Sequence, residues 1–397
     1  MATRVPAARS KRDRSREGSV PRGRKKDQIE PAAEGRAAQG SWTAAAEGRA
    51  AQGSWTAVEK NGMDPEDHAV QAAEYRKIWQ ELFSSDFGDF EDTTKIPPMR
   101  FTDNPSPRHS FKLNSLQIFS VKIAEIKEGL QWPIHVFGTV ALRDSVDRNR
   151  NVIFCRGRDN CQIVTRKCAD AYFGNPVGQI LVLQNFALQS QSLPLWNVDR
   201  SLALTGPSRA VVVLGSVNFE VELKVKGTTE SEDKDLSYLA VLVAFDQPAF
   251  SCLRAKAFNG NLCTLEFTYG HLTFTVEATI SVQVMEGSWH GFRGKFFACT
   301  ASMGPEVLLL DSGDEEMPVV GDGKINLSRK VVSVEHSGKL IVFVKAESSQ
   351  GDIFVLKEEE FTPKEASRSH GVLNVGFCKM RVTVAWSLLS GDRPTGS

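Results

Sequence analysis

The stretch Leu272–Val284 constrains the fold more than any other part of the chain. Leu272, Phe274, Val276, Ala278, Ile280, Val282 and Val284 are apolar, and a polar residue stands between each pair. Successive side chains of a strand point to opposite faces, so this alternation reads as a half-buried strand. It places Val276 on the core face and Glu277 on the solvent face. Thirteen residues at ~3.3 Å each span roughly 43 Å, about twice an ordinary strand. A strand of that length either bends at a bulge or serves two packing units in succession, and the second option fits its flanks.

On both sides of it the chain is a succession of further β signals. Val217–Lys226 alternates as cleanly, and Asp322-Gly323 between apolar residues marks a two-residue hairpin turn. Some fifteen such segments with short turns and no β-α-β rhythm predict an all-β, mostly antiparallel protein built from one or more β-sandwiches. An order of features also recurs. Strand, Glu128-Gly-x-x-Trp132, strand and acidic turn reappear as strand, Glu286-Gly-x-Trp289, strand and acidic turn. The reading is an internal duplication, with Leu272–Val284 ending one half and beginning the next. The expected divisions are 1–62, 63–110, 111–271 and 272–389, the last two being β halves that pack as one unit or as two.

The first division is a basic, low-complexity tail. Met1–Lys26 holds ten basic and two acidic residues, although the whole chain balances 48 against 48. The peptide Ala32–Ala44 is repeated as Ala45–Ala57. With few aliphatic residues this tail cannot offset the entropy of ordering, so disorder is expected over 1–62. Pro21–Lys26 has the composition of a nuclear address or a nucleic-acid contact, and Met63 is an alternative start. Asp64, Pro65, Glu66 and Asp67 then open a helix with an N-cap, a first-turn proline and acidic residues at the positive end of the dipole. Val70, Tyr75, Ile78, Trp79, Leu82 and Phe83 form its apolar face, expected to dock on the sheet. The proline-rich 96–107 reads as an extended linker.

Composition narrows the function classes. No apolar run approaches a membrane span and no secretory leader is visible. The seven cysteines form no C-x-x-C pair, which favours reduced thiols and a cytoplasmic or nuclear location. No catalytic or cofactor fingerprint is present, so no cofactor and no metal are expected. His271 and His290, near the ends of the central strand, read as surface or corner residues. The acidic turn Asp311–Glu316 with Asp322 has calcium-ligand chemistry but reads as a solvated turn. The remaining candidate is an arginine-rich loop: Arg143, Arg148, Arg150, Arg156 and Arg158. Guanidinium forks bind phosphate bidentately, so these five are the candidate polyanion contacts; Asp144, Asp147 and Asp159 between them are the alternative, internal partners.

Several motifs here resemble a plant family known as domain of unknown function 6598, expanded in grasses. They are Phe87-Gly-x-Phe-Glu-Asp-Thr-Thr-x-Ile-Pro-Pro-Met-Arg-Phe101, Phe137–Arg150, Leu204-Thr-Gly-Pro207, Leu308–Asp314, Leu327–Glu335 and Phe377–Trp386. The resemblance covers nearly everything from Glu66 to Leu389, with Lys167–Arg200 as an apparent insertion. It supplies no catalytic residues. Some relatives are similar to partners of a ribosome-inactivating rRNA N-glycosidase domain, whose Glu-Ala-x-x-Arg helix is missing here. The expected function is therefore a non-enzymatic, intracellular interaction module with a protein partner. The alternatives are an RNA- or ribosome-associated accessory module and an enzyme whose site is assembled from distant strands.

Overall fold

The computed structural model describes residues 59–60, 65–166, 200–246, 248–313, 315–348 and 353–393, all within one compact unit, Gly53–Ser397. The duplicated peptide, the basic cluster and nearly all of the expected insertion lie outside these residues.

Helix α1 (Pro65–Phe87) comes first after the two-residue strand β1 (Glu59–Lys60). Then follow β2 (Leu113–Ile126), β3 (Ile134–Arg143), β4 (Asn151–Arg156), β5 (Gln162–Val164), β6 (Val211–Val212), β7 (Ser216–Val225), β8 (Lys234–Ala244) and β9 (Cys252–Asn259). The central strand β10 runs Cys263–Gly287. Beyond it lie β11 (Phe292–Thr300), β12 (Val307–Asp311), β13 (Lys324–Ile325), β14 (Val331–Glu335), β15 (Leu340–Ser348), β16 (Phe354–Phe361), β17 (Arg368–Asn374) and β18 (Cys378–Ser387). They form three sheets, mostly antiparallel, and none of them closes into a barrel. The all-β expectation with one N-terminal helix is met.

Two hydrophobic cores sit along β10. The first lies between the sheet β4-β3-β7-β8 and the part of the large sheet made by β2, β9 and the start of β10; Phe154, Phe219, Phe258 and Phe267 are at its centre. The second lies between β12-β11-β15-β16 and the part made by β10, β18, β17, β14 and β13, around Phe296, Met380 and Trp386. Arg329 ties them together: its N–H donates to the Leu309 carbonyl at 2.9 Å and its Nη2 to that of Ile118 at 2.7 Å. Burial pushes its pKa down to about 10.

The central strand is longer than its alternation suggested, 25 residues, and it changes phase. Odd positions Leu265, Phe267 and Tyr269 fill the first core, whereas even positions Val276, Ala278, Ile280 and Val282 fill the second. The change falls where the register with β2 jumps between Leu272 and Thr275, and Phe274 there has φ 51°. Such an irregularity inserts a residue and lets the pattern slip by one. The alternation placed Phe274 inside; it is 67% exposed. Glu277 was expected in solvent and is buried, because other parts of the chain cover the polar face of β10 at mid-length.

Two further expectations are corrected. The tail's last part does pair: Glu59 and Lys60 lie parallel to Lys256 and Ala257 of β9. Helix α1 packs on β8, but only part of its apolar face is used. Trp79 is fully buried, while Val70, Ile78 and Leu82 stay exposed. The residues of β7 on the outer face of that sheet are polar, Asn218 and Glu220, so the contact is narrow and aromatic rather than a broad apolar stripe.

Candidate functional site

The candidate arginine loop leads directly into the interior. β3 ends at Arg143, and the next turn is built by Asp144, whose Oδ1 accepts the N–H groups of Val146 and Asp147, both at 3.1 Å. Such a self-bonded aspartate turn is a local preference of the residue. The turn drops Arg143 inward. Its Nε donates to Glu220 Oε2 at 2.6 Å, its Nη1 to the Arg148 carbonyl and its Nη2 to the Phe90 carbonyl, each at 2.6 Å. Its guanidinium lies 4.1 Å from the Phe90 ring centre and 5.2 Å from that of Trp79. Arg150 reaches the other oxygen of Glu220, from Nε at 2.7 Å and also from Nη2. One carboxylate thus holds two buried guanidiniums, the geometry in which charge-assisted bonds are strongest.

A second ion pair adjoins the first. Arg209 binds Asp144 with both Nη atoms, at 2.7 and 2.9 Å. Burial opposes the charge on Arg209, yet the Asp144 carboxylate beside it leaves its pKa above the usual arginine value. Asp144 Oδ2 also accepts the Val212 N–H at 3.0 Å. Thr94 donates its hydroxyl to Asp147, and the N–H of Thr94 donates to the Arg150 carbonyl at 2.9 Å.

Glu277 completes the cluster from β10. Its Oε1 accepts the Met99 N–H and its Oε2 the Ala210 N–H, each at 2.7 Å. Burial raises its pKa, and these two amides only partly offset that. Beside it is a cavity of about 30 Å³ lined by Ile96, Val146, Arg209, Val212, Glu277 and Leu389, among others. That is room for a water or two, and far below the volume of a small-molecule site.

The five candidate arginines are therefore not one surface. Arg143 and Arg150 are buried on Glu220 and cannot meet a phosphate in the folded chain. Arg148 is partly exposed over Phe83. Arg156 bonds Asn160, and Arg158 pairs with Asp233 at 2.8 Å. The expected internal partners are largely replaced: Asp144 takes Arg209, and the carboxylates that pair with the loop's arginines are Glu220, with Glu222 3.7 Å from Arg150, and Asp233. Glu220, Arg209 and Glu277 were not singled out by the sequence. The two glutamates occupy polar rows of strands and look like solvent residues; the only hint of Arg209 is that it follows Leu204-Thr-Gly-Pro207.

The other candidates disperse. His271 is buried against Phe245, contrary to a surface position, and burial lowers its pKa. His290 is exposed and faces Glu316 at 3.3 Å. Asp311 pairs with Lys295 at 2.8 Å, and Asp322 accepts the Lys324 N–H. Among the described residues no three His, Cys, Asp or Glu side chains gather as a metal site, and no helix is long and apolar enough to cross a membrane.

Large apolar side chains do reach the surface where β10 changes phase. Phe250 is 82% exposed, and its neighbour Ser251 accepts the Thr273 N–H at 2.9 Å, next to Phe274. Asn114 accepts the Phe274 N–H through its side chain and the Val213 N–H through its carbonyl, next to half-exposed Leu214. Ser251 also donates to Glu335, so a carboxylate borders the group.

These elements define a two-core antiparallel β-sandwich protein, with a sealed ionic cluster on one flank of its shared strand and exposed phenylalanines at the phase change. Residues 115–384 match the family model described as Domain of unknown function (DUF6598), and the chain belongs to that family. Its α1, Phe90, Thr94 and Met99 contributions precede the matched stretch. No curated protein matches the chain. Among solved structures, human GIVD cytosolic phospholipase A2 aligns at 9% identity and TM-score 0.21, over 71% of this chain and 33% of that one. The calcium-bound C2A and C2B domains of extended-synaptotagmin 2 align at 8% identity and TM-score 0.22, over 71% of this chain and 100% of that one. At such TM-scores neither likeness carries an argument.

Proposed function

We propose that this chain is a non-enzymatic protein-interaction module. The observation that carries the reading is the exposed group of Phe250 and Phe274, with Leu214 beside it, at the junction of the two cores. Large exposed apolar side chains carried by hydrogen-bonded neighbouring segments are the kind of surface that interaction sites use. The clustered ionisable groups, by contrast, are consumed by internal bonds around Glu220, Asp144 and Glu277. A protein partner is favoured over an anionic lipid surface because the Glu335 carboxylate borders the group. A duplicated origin of the two cores is part of the same reading. It is supported by Gly129 and Gly287, at φ 91° and 88°, each following a glutamate and preceding a tryptophan that packs on one core.

The test compares the wild-type chain, the Phe250→Ser/Phe274→Ser variant and the distant Phe354→Ser variant as baits in native extract. A protein retained by the wild type and Phe354→Ser, lost by the double variant at a melting temperature no lower than that of the wild type, and then shown to bind the purified wild type supports the reading. An identical set for all three baits, an empty set, or loss of binding to anionic vesicles in place of a protein overturns it.

A further inference from the structure

The segments that carry the exposed apolar group all meet one buried ring, that of His271. This residue is 1% exposed, and its Nε2 has no hydrogen-bond partner. Its imidazole stands edge-on to Phe245, with ring centres 5.3 Å apart. The Phe245 N–H donates to the Gly215 carbonyl at 2.6 Å, and Leu214 immediately precedes Gly215. On its β9 side His271 is opposite Cys252, which follows Phe250 by two residues. Phe274 lies three residues further along β10.

A ring in this position favours its neutral form. An imidazolium carries two N–H donors, and a buried charge without acceptors or water is costly. Among the described residues, Leu116 of β2 and Cys252 of β9 stand opposite His271, and of these only the thiol titrates. Phe245 brings no charge, and Asp246 after it is exposed. The charge that acts on the ring is that of Arg254 on β9, which is positive as well. Burial first, and Arg254 second, hold the His271 pKa below the usual histidine value of 6.5. The closed arrangement therefore takes up a proton less readily than an opened one. Its stability is fully present above 6.5 and declines as pH falls from there toward the folded-state pKa.

We propose that His271 is an acid-operated latch beneath the phenylalanine group. Neutral, it lets the segments of Leu214, Phe250 and Phe274 close over it; protonated, it drives them apart, and the surface offered to a partner is lost. The consequence for binding rests on the chain being an interaction module, whereas the opening itself does not.

The test follows hydrogen exchange of four amides of the full chain, those of Val213, Phe245, Thr273 and Phe274, which bond Asn114, Gly215, Ser251 and again Asn114 around the group. The Ile280 amide, bonded to the Lys330 carbonyl in the second half, is the reference. Measurements are made at about pH 7.5 and about pH 5.5, one unit either side of the ordinary histidine value. After correction for intrinsic rates, protection of the four amides should fall several-fold at the lower pH, by at most about tenfold, while Ile280 changes little. His271→Phe and His271→Gln, which do not titrate, should show no such fall. Titration of the His271 ring by NMR in the wild type needs no variant and should give a midpoint below 6.5. Unchanged protection of the four amides, an equal fall in both variants, an equal fall at Ile280, or a ring that titrates at or above 6.5 would overturn the proposal.

Discussion

The carboxylate of Glu277 accepts the Met99 amide at 2.7 Å across 178 residues of sequence. With the Ala210 amide on its other oxygen, it anchors two separate loop segments to the central strand. Replacing it by alanine leaves one buried N–H, that of Ala210, and one part-buried N–H, that of Met99, without an acceptor, at a cost of about 1–3 kcal/mol for a fully buried group and less for the other. Glu277→Ala is expected to lose about 2–5 kcal/mol of stability in urea unfolding, and Glu277→Val a similar amount despite its strand propensity. A loss below ~1 kcal/mol would show that the anchor is dispensable.

The same carboxylate sets a pH dependence. Its pKa is raised in the folded state by burial, so the folded chain binds the proton more tightly than the unfolded chain, whose value is near 4.5. Its contribution is therefore fully present below 4.5 and is lost as pH rises through the folded-state pKa. Relative to Glu277→Gln, which cannot titrate, the wild type should gain stability as pH is lowered toward 4.5. Unfolding midpoints of both proteins over a pH series check this; a gain in the opposite direction refutes it.

Glu220 is the most exposed to damage by substitution, because Arg143 and Arg150 both depend on it. Removing one partner of a buried pair strands the other charge, typically at about 3–5 kcal/mol. Glu220→Gln is expected to cost at least that, measured by chemical denaturation. Arg158→Gln, which breaks the more accessible pair with Asp233, should cost far less. Equal costs would mean that the buried cluster is not what holds α1 and the loop around Phe90.

Phe274 is expected to be a site where stability and binding oppose each other. A left-handed backbone costs a residue with a Cβ roughly 1–2 kcal/mol, and asparagine tolerates it better. Phe274→Asn should raise stability by about 1 kcal/mol in thermal unfolding while removing a central part of the exposed group. A destabilised variant would mean that the ring has packing the backbone conformation serves.

How far the sequence was legible differs from element to element. Strand alternation identified the arms of β7 and β10, because one face of each meets a core. It did not reveal how far the central strand extends before Leu272, because the alternation changes phase there. Nor did it place Phe274 outside, because a phenylalanine on an apolar row reads as core whether or not the backbone slips by one. The arginine loop was legible as a cluster, but its partners were not. Glu220 and Glu277 lie 57 residues apart on polar rows, and only the tertiary fold covers those rows with the segment from Phe90 to Phe101 and the turn before Val211.

The length of β10 also bears on how the chain is made. The strand that floors the first core continues without a break into the second, so the earlier half acquires its last wall only as the later half begins to emerge from the ribosome. Until then β2 and β9 have no common neighbour, and their edges stand open in the nascent chain. The birth of one half is thereby tied to the start of the other, and a chain stalled before Cys263 would present bare strands to whatever chaperone or neighbouring chain is nearest.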